Sequence, residues 1–364
     1  MLELQKFIKT HENWKEKIAE TPYFIKVKED GDLVMFSYNL IKGSDFLNQM
    51  VRECRGIILE KNNWDVVCHA FDKFGNYGES YVPNINWNSA VVTEKIDGSL
   101  IKVFFYNNEW CIATNNTINA FNAPIADVRY NGSFGSLFAE TARLDYSKLD
   151  KSYTYIFELV SPYTQVVIPY IETAVYYLGC RNNKTNAEIP FFKENFGFKM
   201  PKAYFLMTLE NTIEAANSLP YTNEGYVVVD TYCNRCKIKS PEYVKAHYLR
   251  NNNCISQKRL IEVINSGEEA EFLIYCGEYK EQIENLKTIR DEYINFLDNV
   301  IFIIKKTIAA SAKNKKEFIE AVKKYEFDEF TCSFLCYWYD NRDLTFEEHS
   351  SKWTMPKWIR FYNQ

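Results

Sequence analysis

The stretch Val91-Val-Thr-Glu-Lys-Ile-Asp-Gly-Ser-Leu-Ile-Lys-Val-Phe-Phe105 sets two apolar, β-branched runs on either side of a polar knot, Thr93 to Ser99. The pattern predicts strand, tight turn, strand, with Gly98 supplying the permissive backbone of a hairpin turn. The knot holds Lys95. A lysine between two hydrophobic strands, with an aspartate two residues on, is placed to be partly desolvated and to face a ligand, which makes it a candidate nucleophile. The plainer reading is a hairpin whose Lys95 and Asp97 only solvate the turn.

Working outward, residues 2 to 20 repeat Leu2, Leu4, Phe7, Ile8, Trp14 and Ile18 at helical spacing, and Thr21-Pro22 ends the run. Period-two alternation then predicts a hairpin from Phe24 to Tyr38, a strand after Glu53-Cys-Arg-Gly, and another at Val66-Val-Cys. Arg55 enters an apolar strand just before a glycine, where its guanidinium fork can be aimed at an anion; Lys73 follows the next strand. By default both are surface charges at strand ends. Downstream, further strands are expected at Trp110–Thr114, Tyr153–Val160, Val166–Tyr170 and Ala174–Arg181, with a last hairpin at Asn223–Ser240. Glu158 sits inside the most apolar of these strands and needs a partner. Lys237 and Lys239 are two apart, so both point to one face, a pairing tolerated where something negative lies opposite. Lysines guarding a solvated strand edge are the bland alternative. From residue 243 on, apolar residues recur at helical spacing without a convincing strand, and a domain boundary is placed between 245 and 246, next to the polar run that starts at Arg250.

A chain of 364 residues with 46% hydrophobic and 25% charged residues is that of a globular protein with room for two domains. A net charge of −5 argues against non-specific coating of duplex nucleic acid but allows a local basic groove. No apolar run spans a membrane and Met1–Lys9 lacks a signal-peptide core, so a cytoplasmic protein with reduced thiols and no membrane partner is expected. Cys233-x-x-Cys236 lies in a hairpin turn and Cys332-x-x-x-Cys336 in a helical pattern without histidine neighbours, which weighs against zinc.

Taken in order, Lys95-x-Asp97-Gly98, Phe157-Glu158-Leu159, Tyr177-Leu178, Glu224-Gly225-Tyr226-Val227 and Lys237-Ile238-Lys239 resemble the motifs of the covalent nucleotidyltransferase superfamily, the polynucleotide ligases and capping enzymes. Glu53-Cys-Arg-Gly, Lys95-x-Asp-Gly-Ser-Leu and Cys236-Lys-Ile-Lys-Ser are similar to the bacteriophage RNA ligase 1 family, over roughly residues 30 to 250. The resemblance implies an α+β fold: an antiparallel-sheet nucleotidyltransferase domain of the ATP-grasp-like ligase type over residues 1–245, then an all-α C-terminal domain over 246–364 that serves RNA specificity.

It further implies an ATP-dependent RNA ligase. Lys95 would attack the α-phosphorus of ATP to form a lysyl-adenylate, pass AMP to an RNA 5′-phosphate, and a 3′-hydroxyl would then attack the adenylylated end. A free lysine with pKa near 10.4 is only about one part in a thousand neutral near pH 7.4, so activation by nearby cations is required. The resemblance assigns Lys237 and Lys239 to catalysis with Lys95. It assigns Arg55, Lys73, Glu94, Asp97, Gly98, Glu158, Tyr177 and Glu224 to the nucleotide, with Tyr177 beside adenine and Gly98 allowing close backbone approach. Glu158, Glu224 and Asp97 would hold magnesium, or manganese, directly or through water. The partner is RNA with 5′-phosphate and 3′-hydroxyl ends, cleaved tRNA among them, with no obligate protein partner. Two positions depart from the family: Lys73-Phe-Gly-Asn76 replaces Lys-Phe-Phe-Asn, and Asn115 and Asn116 stand where relatives carry a basic residue for ATP. The competing functions are an mRNA capping guanylyltransferase and a non-catalytic RNA-binding protein of the same fold.

Overall fold

The computed structural model describes residues 1–192, 197–248, 255–308 and 312–363. Its strands are β1 (Lys26–Asp30), β2 (Leu33–Ser37), β3 (Arg55–Glu60), β4 (Val66–Cys68), β5 (Val91–Glu94), β6 (Ser99–Tyr106), β7 (Glu109–Thr114), β8 (Tyr153–Val160), β9 (Ala174–Asn182), β10 (Glu188–Pro190), β11 (Ala203–Tyr204), β12 (Gly225–Val229) and β13 (Arg235–Lys239). They form three antiparallel sheets, in the orders β1-β2-β3-β4, β10-β9-β8-β6-β7 and β11-β5-β12-β13.

One expectation fails at the centre. β5 and β6 do not pair: β5 lies between β11 and β12, whereas β6 lies between β8 and β7. Residues 95–98 therefore cross from one sheet to another instead of closing a hairpin. The crossing is tight because Gly98 has no side chain; a Cβ there would stand 2.5 Å from the Leu159 carbonyl oxygen. Gly98 thus serves β6–β8 packing.

The expected strand at 166–170 is also absent. The Val167 and Ile168 N–H groups donate to Asp97 Oδ2, at 3.0 and 2.9 Å, so a carboxylate takes the bonds a neighbouring strand would have taken. The single N-terminal helix expected is two, Glu3–Thr10 and Trp14–Ala19. Their Leu4, Ile8, Trp14 and Ile18 pack on one face of the first sheet with Val34, Phe36, Ile57 and Leu59. The other face of that sheet, through Met35 and Ile58, meets Phe104 and Ala113 of the second sheet. Beneath the second sheet, helix Phe134–Ala142 joins a core containing Ile101, Val103, Phe157, Leu159 and Tyr177. The third sheet buries Val92, Tyr226, Val228, Cys236 and Ile238 on one side; its opposite face carries Lys237 and Lys239.

The chain divides into two compact units, Met1–Asn251 and Asn252–Gln364. Residues 250–254, whose polarity marks the boundary in the sequence, lie outside the described residues. Helix Pro241–Tyr248 belongs to the first unit. The second unit is helical throughout its described residues, with Lys280–Thr307 as its longest helix, burying Ile283, Leu286, Leu297, Val300 and Ile304. Ser256 caps the first helix of this unit, and Gly267 in left-handed conformation closes it. Among the described residues no helix is long and apolar enough to cross a membrane.

Candidate active site

Lys95 stands at the start of the crossing between the second and third sheets. Its N–H donates to the Gly225 carbonyl at 2.9 Å, extending the β5–β12 ladder by one residue. Gly225 in turn pairs with Lys239, and Val227 with Lys237. Side chains directly opposite in antiparallel strands share a face, so Lys95, Lys237 and Lys239 look out of the same side of the third sheet. Gly225 must be glycine: its φ is +133°, and a Cβ would come within 2.6 Å of the Lys239 Cα. Glu224, immediately before β12, stands in this corner. Its Oε2 is 2.8 Å from Lys95 Nζ and its Oε1 3.5 Å from Lys239 Nζ, with the carboxylate 5% exposed.

The second sheet supplies the facing wall. Leu100 of β6, Glu158 of β8 and Tyr176 of β9 are register partners, so they share one face. Glu158 has no hydrogen-bond partner among the described residues, and burial pushes its carboxyl up to about 7, partly countered by Lys95. Arg55 also acts on this carboxylate. Its guanidinium lies 5.2 Å from the Phe74 ring, and Nη1 is buried without a hydrogen-bond partner. Two like acids and several cations thus converge with acceptor and donor capacity unspent, which suits a polyanion that brings a cation with it.

The geometry sets four of the expected site residues apart from the Lys95 cluster. Tyr177 is fully buried in the core beneath the sheet, 5.5 Å from Phe157 and 5.9 Å from Phe198. The bulge at Ile156/Phe157 sets the register so that Tyr176, not Tyr177, shares the Glu158 face. Asp97 is a brace: besides the two backbone donors, its Oδ1 accepts from the Tyr243 hydroxyl at 2.8 Å. Glu94 is opposite Tyr226 on the other face of β5, its carboxylate near the Lys202 N–H. Lys73 lies over the Tyr38 and Phe46 rings and lines a separate cavity with Phe74. Among the described residues no group of three or more acidic, histidine or cysteine side chains forms a metal cage. Glu158 and, through the Oε1 that lies 3.5 Å from Lys239, Glu224 suit a divalent cation completed by nucleotide phosphates; Asp97, whose two oxygens accept three hydrogen bonds, suits it less.

Three residues were missed in the sequence. Tyr243 gave no signal beyond its place after Lys-Ile-Lys-Ser. Tyr176 was hidden by the choice of its neighbour. Lys102 had the clearest signal, a lone lysine in an apolar strand: it is fully buried, donates to the Gly56 carbonyl, and burial, with Arg55 nearby, lowers its pKa. Gly56 itself packs against the Asn115 backbone, where the family's basic residue is missing; a Cβ on it would meet the Asn115 oxygen at 2.5 Å.

A lysine at the junction of two antiparallel sheets, facing two glutamates and two further lysines on a neighbouring strand, belongs to a nucleotidyltransferase fold. The chain belongs to the RNA ligase family of bacteriophage type, whose model matches residues 53–243. A protein of Autographa californica nuclear polyhedrosis virus, provisionally named a bifunctional polynucleotide kinase/RNA ligase, is 30% identical over 82% of this chain, and the chain spans 45% of that protein. An RNA ligase of Rhodothermus phage RM378 is 26% identical over 83% of this chain and 83% of its own. An archaeal ATP-dependent RNA ligase of known structure overlays loosely, at a TM-score of 0.43 and 13% identity, covering 86% of each chain.

Proposed function

We propose that the protein is an ATP-dependent RNA ligase that joins RNA 5′-phosphate and 3′-hydroxyl ends through lysyl-AMP and adenylylated RNA. The observation that carries this reading is the Lys95–Glu224–Lys239 cluster, at hydrogen-bonding and ion-pair distances, in a chain of the RNA ligase family.

In the first step the Lys95 amine bonds to the α-phosphorus of ATP and pyrophosphate leaves on the opposite side, with the amine proton released next to Glu224. Lys237 and Lys239 project from β13 toward the charge that develops on the phosphates, and Arg55 offers its open Nη1 to the same anion. Glu158 and Glu224 would hold a magnesium ion together with the phosphates, and that ion would supply further neutralising charge. Tyr176 and Leu100 share the Glu158 face and offer an apolar surface for the adenine. Asp97 holds the crossing in place by tying residues 167–168 and Tyr243 to it. In the second step an RNA 5′-phosphate oxygen takes AMP from Lys95; in the third a 3′-hydroxyl attacks the 5′-phosphate and AMP leaves.

Helix Pro241–Tyr248 goes with the adenylylating part because Tyr243 contacts Asp97, and the helical unit beyond it is assigned to RNA selection, with cleaved tRNA in the cytoplasm as the substrate class. Incubation with α-labelled ATP or GTP, followed by a 5′-phosphorylated RNA, tests the reading. ATP label on protein, then joined RNA, is expected; label from GTP alone points to capping chemistry, and no label at all rejects both.

A further inference from the structure

Phe74, 5.2 Å from the Arg55 guanidinium, also lines a cavity of about 490 Å³ in the first unit, large enough for a nucleotide. We propose that it holds the 5′-terminal nucleotide of the RNA whose phosphate receives AMP. The inference rests on the RNA ligase reading and names a substrate site within it.

Position is the first argument. In-line displacement expels pyrophosphate opposite Lys95, and the incoming 5′-phosphate must then approach from that same side. Lys239, Lys237 and Arg235 alternate with buried Cys236 and Ile238, so the three cations share one face of β13. Each step along them is roughly 6.7 Å, two residues of strand rise. They lead from Lys95 toward the cavity, which Arg235 lines. Phe74 joins the two sites: its ring lies 5.8 Å from Lys237 Nζ and 5.5 Å from the Arg235 guanidinium.

Charge is the second. Arg52, Lys73, Arg181 and Arg235 line the cavity against two carboxylates, Asp72 and Glu188, in a chain of net charge −5. Arg181 is paired with Asp72 and Arg235 with Glu188. Arg52 bonds only neutral oxygens of Phe46, Leu47 and Gln49. Lys73 has rings beneath it and no acceptor among the described residues. Two positive charges are thereby left for phosphate.

The third is an aromatic without a structural task. Tyr232 lines the cavity and is 77% exposed at the tip of the β12–β13 turn. That turn is held firm, because Asp230 accepts from the N–H groups of Tyr232 and Asn234, at 2.9 and 3.0 Å. A solvent-facing ring on a braced turn, lining a basic hollow, is a stacking platform for a base.

The test uses full-length protein charged with AMP, and follows single-turnover transfer of AMP to a 5′-phosphorylated oligoribonucleotide. Tyr232→Ala is expected to raise the half-saturating RNA concentration about five- to hundredfold, the range for losing one stacked base, with self-adenylylation within about twofold of wild type. Tyr232→Phe should behave like wild type. An oligonucleotide abasic at its 5′ end should bind wild type as weakly as Tyr232→Ala binds the normal strand, and the variant should not distinguish the two. An unchanged half-saturation in Tyr232→Ala, or a matching loss of self-adenylylation, overturns the site. Failure of wild type to form the protein–AMP adduct instead overturns the ligase reading.

Discussion

Glu224 holds Lys95 by a 2.8 Å ion pair while its other oxygen faces Lys239. One carboxylate thus positions the attacking amine and one of the cations meant for the phosphates. Replacing it with Gln or Ala should lower the rate of self-adenylylation at least about 100-fold, a loss typical of removing a group that handles the transferred proton. Timed incorporation of α-labelled ATP measures this, and a wild-type rate would remove Glu224 from the mechanism.

Glu158 gives the reaction a pH dependence. Burial raises its carboxyl to about 7, so it is largely protonated at pH 6 and ionised at pH 8. If the carboxylate is the working form, self-adenylylation should rise through about pH 7, and Glu158→Gln should lose that limb along with activity. Stability moves the other way. The unfolded chain releases this proton near the ordinary carboxyl value and the folded chain only near 7, so stability falls as pH rises from about 4.5 to 7. Thermal melts should therefore show wild type losing stability relative to Glu158→Gln across that window, and a constant difference would mean that Glu158 titrates normally.

Tyr176 and Tyr177 should separate cleanly. Tyr177→Ala removes a fully buried ring and should cost about 3–5 kcal/mol of stability, with little change in the KM for ATP of the folded fraction. Tyr176→Ala should leave the fold largely intact and raise that KM several-fold. The opposite pattern, in denaturant titrations and ATP saturation, would restore Tyr177 as the adenine neighbour.

The Asp97–Tyr243 bond ties the Lys95 crossing to helix Pro241–Tyr248. A chain ending at residue 251 should still adenylylate itself while its choice of RNA changes. One ending at residue 240 should lose self-adenylylation roughly tenfold or more. Equal labelling of the two truncated proteins would deny the Asp97–Tyr243 bond its bracing role.

Period-two alternation made most of the strands legible, and with them the shared face of Lys237 and Lys239. The pairing of β5 and β6 was not legible, because local alternation is the same whether two adjacent strands join each other or, as here, find partners elsewhere in the chain. Val166–Tyr170 looked like a strand for the same reason; only the distant Asp97 carboxylate explains where its N–H groups go. The choice between Tyr176 and Tyr177 turned on a single-residue bulge at Leu178 of β9, and one residue of register exchanges the faces of a strand. Lys102 could have been found by the reasoning that picked out Glu158, since both are lone charges in apolar strands.

The central claim is that the Lys95 side chain takes AMP from ATP. Full-length wild type and Lys95→Ala, each incubated with α-labelled ATP and magnesium, denatured and resolved by electrophoresis, test it directly. The account predicts label covalently on wild type, mapped by peptide sequencing to Lys95, and none on the variant; equal labelling of the two proteins would contradict it.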